Sequence, residues 1–192
     1  MKRKLLPRLL LCLSLLCSAG SGQQGGSVHG NVFRESNVGL TYEFPEKLSP
    51  RVDNKQLFGN DTTGREIVIL SLWDTPEHGG ALRMVFLYDA KQRSSDRTRD
   101  TIALAYIGEI RRAWLGVKGV ETTAPTKISE ASYDYWRLDI SGADQVPRYS
   151  SAVVITLADR RVLAIKAGAP SQSELDSEVN SLARMRFDKS QK

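Results

Sequence analysis

The sequence predicts an α+β fold in which a mainly antiparallel sheet carries one helix on each face. Three observations support this fold class. Strand-like segments occur in groups rather than alternating with helices, which is typical of antiparallel sheets. Two segments with helical periodicity stand apart from those groups. The middle strand segments are apolar at successive positions, as expected for strands that are covered on both faces.

The first half of the domain predicts a strand followed by a hairpin. Apolar side chains alternate with polar ones over residues 38–44, and Pro45 ends that pattern. Two nearly continuous apolar segments, 66–73 and 82–88, are joined by a Pro/Gly-containing turn at 75–80. Such a pair of short apolar segments around a turn predicts a hairpin.

The second half predicts a helix, a three-stranded meander and a final helix. Apolar residues recur at helical spacing over 96–115, and Ser94 or Ser95 is a suitable N-cap. Strands are then predicted at 135–141, 152–157 and 162–167. The last helix is predicted to open after Pro170 at Ser171 or Ser173, and Ser171 and Glu174 have the spacing of a capping box.

Residues 1–19 are predicted to be a signal peptide. A basic start precedes an apolar run of eight residues at 9–16, which is much shorter than the ~20 residues needed to span a bilayer. Small residues follow, and cleavage is expected after Ala19, with Gly20 or Gly22 as alternatives. A lipid anchor at Cys17 is a further alternative, which Ser14 and Leu16 disfavour because a lipobox usually has Leu and a small residue there. The predicted localisation is therefore secreted or periplasmic.

The rest of the chain is predicted to be a tether, one domain and a tail. Residues 20–31 are rich in Gly, Ser and Gln and predict a flexible tether; the domain spans 32–188, and 189–192 form a polar tail. Removing the leader leaves 23 of the 27 basic residues against 22 acidic ones, a net charge of about +1. A near-neutral domain lacks the basic surface that nucleic-acid binding requires, so that class of partner is excluded.

No pattern of residues predicts catalysis, a cofactor or a metal site. The two histidines, His29 and His78, lie in the tether and in the Pro/Gly turn, and there is no G-x-S-x-G or H-E-x-x-H motif. Asp134 and Asp139 are on opposite faces of their predicted strand, so they do not form an acid–base pair. The three tryptophans, Trp73, Trp114 and Trp136, are assigned to the core.

One candidate contact site lies on the strand at 135–141. Tyr133, Tyr135 and Arg137 share one face of that strand, and Tyr and Arg are enriched at interface hot spots. The competing interpretation is that a helix covers the two tyrosines. The sequence leaves both interpretations open.

Three segments of the chain resemble the PsbP-like family, which includes the extrinsic PsbP subunits of photosystem II, secreted bacterial relatives and a nuclear-import factor that binds Ran. They are Gly39-Leu40-Thr41-Tyr42-Glu43-Phe44-Pro45, Val162-Leu163-Ala164-Ile165-Lys166-Ala167-Gly168-Ala169-Pro170 and the final helix running into Arg186-Phe187. The resemblance covers about residues 32–188 and implies an α/β/α sandwich with a non-catalytic role in binding or assembly. It transfers no functional residue.

The predicted function is a secreted or periplasmic binding module that contacts a protein or an envelope component. The alternative is a small-molecule-binding or hydrolytic envelope protein, with its site between the sheet and the 96–115 helix. An apolar pocket with converging polar groups would favour the alternative, whereas an exposed contact surface would favour the binding module.

Overall fold

The computed structural model describes residues 26–52, 66–75, 77 and 80–188. The predicted signal peptide, the polar tail and His78 lie outside these residues. Within them the chain forms twelve strands and two helices, and every paired strand is antiparallel. The α+β class, with a mainly antiparallel sheet and helices on both faces, is confirmed.

The larger sheet has eight strands. In spatial order these are β4 (Leu48–Arg51), β5 (Glu66–Asp74), β6 (Leu82–Asp89), β11 (Val162–Ala169), β10 (Tyr149–Thr156), β9 (Asp134–Gly142) and β7 (Val120–Thr122), with β8 (Thr126–Ser129) also paired to β9. The predicted hairpin is β5–β6, and the predicted meander is β9–β10–β11. Pro50 is tolerated in β4 because that strand lies at the edge of the sheet.

A second, four-stranded sheet was not predicted. Its order is β1 (Ser27–His29), β2 (Val32–Glu35), β3 (Leu40–Glu43) and β12 (Met185–Phe187). The prediction of a flexible tether is wrong for residues 27–29, because β1 pairs with β2 from Ser27↔Arg34 to His29↔Val32. Backbone pairing orders this Gly-rich segment although its own side chains bury little surface.

Helix α1 (Arg99–Trp114) packs on one face of the larger sheet. Its buried residues Ile102, Ala103 and Ile107 meet Leu138 and Val154 in one apolar cluster. The N-cap is Thr98 rather than the predicted Ser94 or Ser95, and its side chain accepts a hydrogen bond from the Thr101 amide at 3.2 Å. The helix therefore starts one turn later than the sequence pattern predicted.

Helix α2 (Gln172–Ser181) and the smaller sheet cover the opposite face. Ser171 is the N-cap, as predicted, and its hydroxyl accepts a hydrogen bond from the Glu174 amide at 3.3 Å. The apolar cluster under α1 is the α1 cluster, and the one under α2 and the smaller sheet is the α2 cluster. Successive side chains of β10 enter opposite clusters, with Val154 in the α1 cluster and Val153 in the α2 cluster. The central strands are thus buried on both faces, as their continuous apolar sequence indicated.

Candidate functional site

A solvent-open groove of about 250 Å³ lies where the C-terminal end of α1 leaves the sheet uncovered. We call it the α1 groove. Its floor is formed by β6, β11, β10 and β9, and one wall by the last turns of α1. Its lining residues are Leu82, Arg83, Val85, Ile110, Trp114, Ile140, Pro147, Ser150, Ser151, Ala152, Lys166, Ala167 and Gly168. Most of this surface is apolar.

The wall opposite α1 is formed by the loop before β10. Pro147 in that loop lies directly against Gly168 of β11, because a Cβ placed on Gly168 would be 2.3 Å from the Pro147 Cγ. Only a glycine allows the ring to approach the strand so closely. Gly168 of β11 therefore allows the loop to pack against the strand and fixes the position of this wall.

Exposed apolar residues adjoin the lining residues along the chain. Val146, next to Pro147, is 98% exposed, and Leu115 and Val117 follow Trp114 at the end of α1. Leu82 lines the groove itself and is 39% exposed. Exposed apolar residues thus stand beside the lining residues in three separate segments, as is common at protein-contact surfaces.

The two cationic residues of the lining have different surroundings. Arg83 is buried, and its guanidinium lies 3.2 Å from Asp74, 3.5 Å from Glu174 and 3.4 Å from Glu178. We call these four residues the Arg83 cluster. Lys166 is exposed, and its neighbours across the sheet are Ala152 of β10 and Val85 of β6.

The Arg83 cluster contains a buried carboxyl group with an altered pKa. Glu178 is 1% exposed, and burial raises its pKa to about 7, although the positive charge of Arg83 opposes that rise. Among the described residues, neither of its carboxyl oxygens accepts a hydrogen bond of good geometry. Arg83 lines the groove, and its partners Glu174 and Glu178 belong to α2, so the cluster links the groove to the helix on the opposite face of the sheet.

Of the three residues predicted as a contact site, Tyr135 is buried, and Tyr133 and Arg137 bond to other elements of the fold. Tyr135 is 4% exposed, and the Tyr133 hydroxyl donates a hydrogen bond to the Leu182 carbonyl at 2.5 Å. Arg137 donates to Asp139 at 2.8 Å and to Asp176 of α2 at 2.6 Å. This geometry favours the covered interpretation, because these side chains fasten α2 and the chain after it to β9.

A second cavity, of about 330 Å³, lies near the N-terminal end of α1. Its charged groups are paired internally: Lys127 bridges Asp100 at 2.9 Å and Asp134 at 3.2 Å, and the Trp136 indole N–H donates to Asp100 at 3.2 Å. The bond from Lys127 holds the pKa of the Asp100 carboxyl below its usual value. Asp139 pairs with Arg137 on the α2 side, so Asp134 and Asp139 do lie on opposite faces.

The groove residues were largely missed by sequence reasoning. Trp114 was assigned to the core, and it does pack against the α1 cluster, yet it is only half-buried and also lines the groove. Leu82 and Val146 lie in segments read only as a strand and a loop. The sequence feature that could have indicated the groove was Lys166, the single charged residue within the continuous apolar sequence of β11.

The described residues include one histidine, and they contain no metal-ligand cluster and no helix that could span a membrane. His29 is exposed on β1, at the edge of the smaller sheet. No group of three His, Cys, Asp or Glu side chains within the described part of the chain could hold a metal ion. Neither α1 nor α2, nor any other described helix, is long and apolar enough to span a bilayer.

Comparison with known proteins relates the fold to a solved structure. The sequence matches no family model and no curated protein. The solution structure of cyanobacterial PsbP (CyanoP) from Synechocystis sp. PCC 6803 is similar to this chain, with a TM-score of 0.51 and 14% sequence identity. The match covers 85% of this chain and 96% of the cyanobacterial one. The fold is therefore PsbP-like, as the sequence resemblance predicted.

Proposed function

We propose that this protein is a secreted or periplasmic, non-catalytic binding module that docks onto another protein through the α1 groove. The leader-like first 19 residues support secretion, and the PsbP-like fold supports a role in binding or assembly rather than catalysis. The observation that carries the proposal is the apolar groove with its exposed apolar surroundings.

The size of the groove favours a protein partner over a small molecule. Small-molecule pockets usually enclose roughly 300–1,000 Å³ and cover most of the ligand. The α1 groove has about 250 Å³ and is open to solvent, so it accommodates one or two side chains of a partner. Val146 precedes the lining residue Pro147 in the chain and Leu115 follows Trp114, and both are exposed, so a partner larger than a small molecule would contact them together with the floor.

The small-molecule or hydrolytic alternative retains one supporting observation. The groove lies between the sheet and α1, where that alternative placed its site, and Ser150 and Lys166 supply polar groups within it. No described histidine lines the groove, so a serine there has no neighbouring base of that type. Binding without chemistry is the form of this alternative that fits the lining.

Photo-crosslinking in the native cell envelope tests the proposal. The photoreactive residue benzoylphenylalanine replaces Leu82 or Val146 in turn, and Leu104 as a matched control. Leu104 is 40% exposed, much like Leu82 at 39%, but it does not line the groove. The cross-linked protein is identified by mass spectrometry, purified and titrated against wild-type and Leu82→Ser protein.

We expect adducts with one protein at positions 82 and 146 but not at 104. We also expect Leu82→Ser, but not Leu104→Ser, to weaken binding of the purified partner about tenfold, as for loss of an apolar anchor. Equal cross-linking at all three positions, or none, would contradict a docking role for the groove. A low-mass adduct confined to positions 82 and 146 would instead establish the small-molecule alternative.

A further inference from the structure

The charge of the α1 groove is complementary to an acidic partner. Its lining includes the cations Lys166 and Arg83 and contains no Asp or Glu. Because three carboxylates surround Arg83, the charge that the lining offers to a partner is that of Lys166, and such a groove selects partners that are apolar and carry an opposite charge.

Lys166 is the cation that is available to a partner. Arg83 already has three carboxylates around its guanidinium. None of the ion pairs formed among the described residues involves Lys166. Its ammonium group rises from a floor of aliphatic side chains, between Val85 and Ala152.

Burial of this ammonium group would be unfavourable unless the partner supplies an anion. A wholly apolar partner that filled the groove would remove water from Lys166 without replacing the lost hydrogen bonds, which costs free energy. A carboxylate offsets that cost, because bonds between an ammonium and a carboxylate are charge-assisted. The apolar floor and the lysine are thus satisfied together only by a partner that carries both groups.

We infer that the α1 groove binds a protein segment in which a large apolar side chain lies close to a carboxylate. The apolar side chain packs between Trp114 and Pro147, and the carboxylate pairs with Lys166. This inference rests on the proposed docking function and specifies the chemistry of the partner. The carboxylate belongs to an Asp or Glu side chain or to the C-terminus of the partner.

Selection from a phage library of random dodecapeptides tests the inference. The library is selected in parallel on the wild-type protein, on Lys166→Glu and on Lys118→Glu. Lys118 is exposed and does not line the groove, so its substitution controls for the same change in net charge. Enriched peptides are then synthesised, and their affinities are measured by fluorescence anisotropy at low and high salt.

We expect the wild-type and Lys118→Glu proteins to enrich peptides with Asp or Glu near a Leu, Phe or Trp residue. Lys166→Glu is expected to lose that acidic preference and to weaken the acidic peptides about tenfold, as for loss of a hydrogen bond to a charged group. Raising the salt concentration should weaken acidic peptides more than their Asn or Gln counterparts. A motif that is unchanged by Lys166→Glu would overturn the inference, as would enrichment of neutral or basic peptides.

The same experiment separates this inference from the proposed function. If Leu82→Ser weakens the enriched peptides but Lys166→Glu does not, the groove docks proteins and the assigned carboxylate is wrong. If no peptide is enriched, or if Leu82→Ser has no effect on those that are, both the docking function and the inference fail. Self-association of the wild-type protein that Leu82→Ser abolishes would identify a second copy as the occupant and overturn the acidic-segment assignment.

Discussion

The carboxyl group of Glu178 links the charge of the Arg83 cluster to the stability of the fold. Its oxygens lie among Arg83, Asp74 and Glu174, and Lys47 also acts on it through space. Burial raises its pKa from 4.5 to about 7. Because the folded protein holds this proton more tightly than the unfolded chain, protonation of Glu178 stabilises the folded state.

The free energy of unfolding should therefore fall as the pH rises from 5 to 8. The stabilisation from Glu178 is complete below pH 4.5 and is lost as the pH passes through about 7, a loss of about 3 kcal/mol. Glu178→Gln should remove most of this slope in urea denaturation series measured at each pH. Glu174→Gln, which alters the more exposed carboxyl of the cluster, should keep it. An unchanged slope in Glu178→Gln would refute the assignment.

Two glycines should respond to alanine in opposite ways. At Gly168 the new Cβ would be 2.3 Å from the rigid ring of Pro147, so Gly168→Ala should destabilise the protein by about 1–3 kcal/mol. At Gly108, inside α1, the nearest atom is the flexible Arg112 guanidinium at 3.8 Å. Gly108→Ala should therefore stabilise it by about 0.5–1 kcal/mol. Urea denaturation of both variants checks the signs, and the same sign for both would contradict the packing described.

At the scale of elements, the N-cap of α1 is Thr98 in the structure, whereas the sequence pattern predicted Ser94 or Ser95. Thr98→Ala removes the acceptor of the Thr101 amide and should cost about 1 kcal/mol. Ser95→Ala alters a residue that the sequence offered as a cap but that lies outside the helix, so its effect should be within about 0.5 kcal/mol. Thermal unfolding of the two variants provides the comparison. A larger loss from Ser95→Ala would place the start of the helix where the sequence pattern put it.

Long elements were predictable from the sequence, and most short ones were not; the short strand β3 was predicted because the apolar alternation continues beyond it over residues 38–44. The strands β5, β6, β10 and β11 have eight or nine residues, with apolar side chains on both faces, and each was located to within three residues. Strands β1, β2 and β12 have three or four residues, too few to show a period of two. Their sheet also depends on pairing between Met185 and Tyr42, a contact that no local pattern encodes.

The α1 groove could not be predicted because it arises from packing between distant segments. Its walls come from the end of α1 and the loop at Pro147, and its floor comes from four strands. Each segment alone has an ordinary sequence for its element. The apolar sequence that carries Lys166 predicts a buried strand, and only the position of α1 determines that this part of the strand is left open.

At the scale of the whole molecule, one sheet is shared by two cores, and this arrangement predicts which substitutions act independently. Ile107 of α1 and Ile165 of β11 are both fully buried, but they belong to the clusters on opposite faces. Ile107→Val and Ile165→Val should each cost about 0.5–1.5 kcal/mol. Because the sheet separates the sites, the double variant should show the sum of the two costs to within about 0.5 kcal/mol.

A second pair of sites, within one core, gives this prediction its control. Ile165 pairs directly with Phe86 across β11 and β6, and both belong to the α2 cluster. Because each packs against the other, the costs of Ile165→Val and Phe86→Leu should depart from additivity by about 0.5 kcal/mol or more. Both double-mutant cycles are measured by urea denaturation at one pH. Coupling across the sheet as strong as coupling within the core would mean that the two faces adjust as one unit, and that a partner bound in the α1 groove alters the packing around α2.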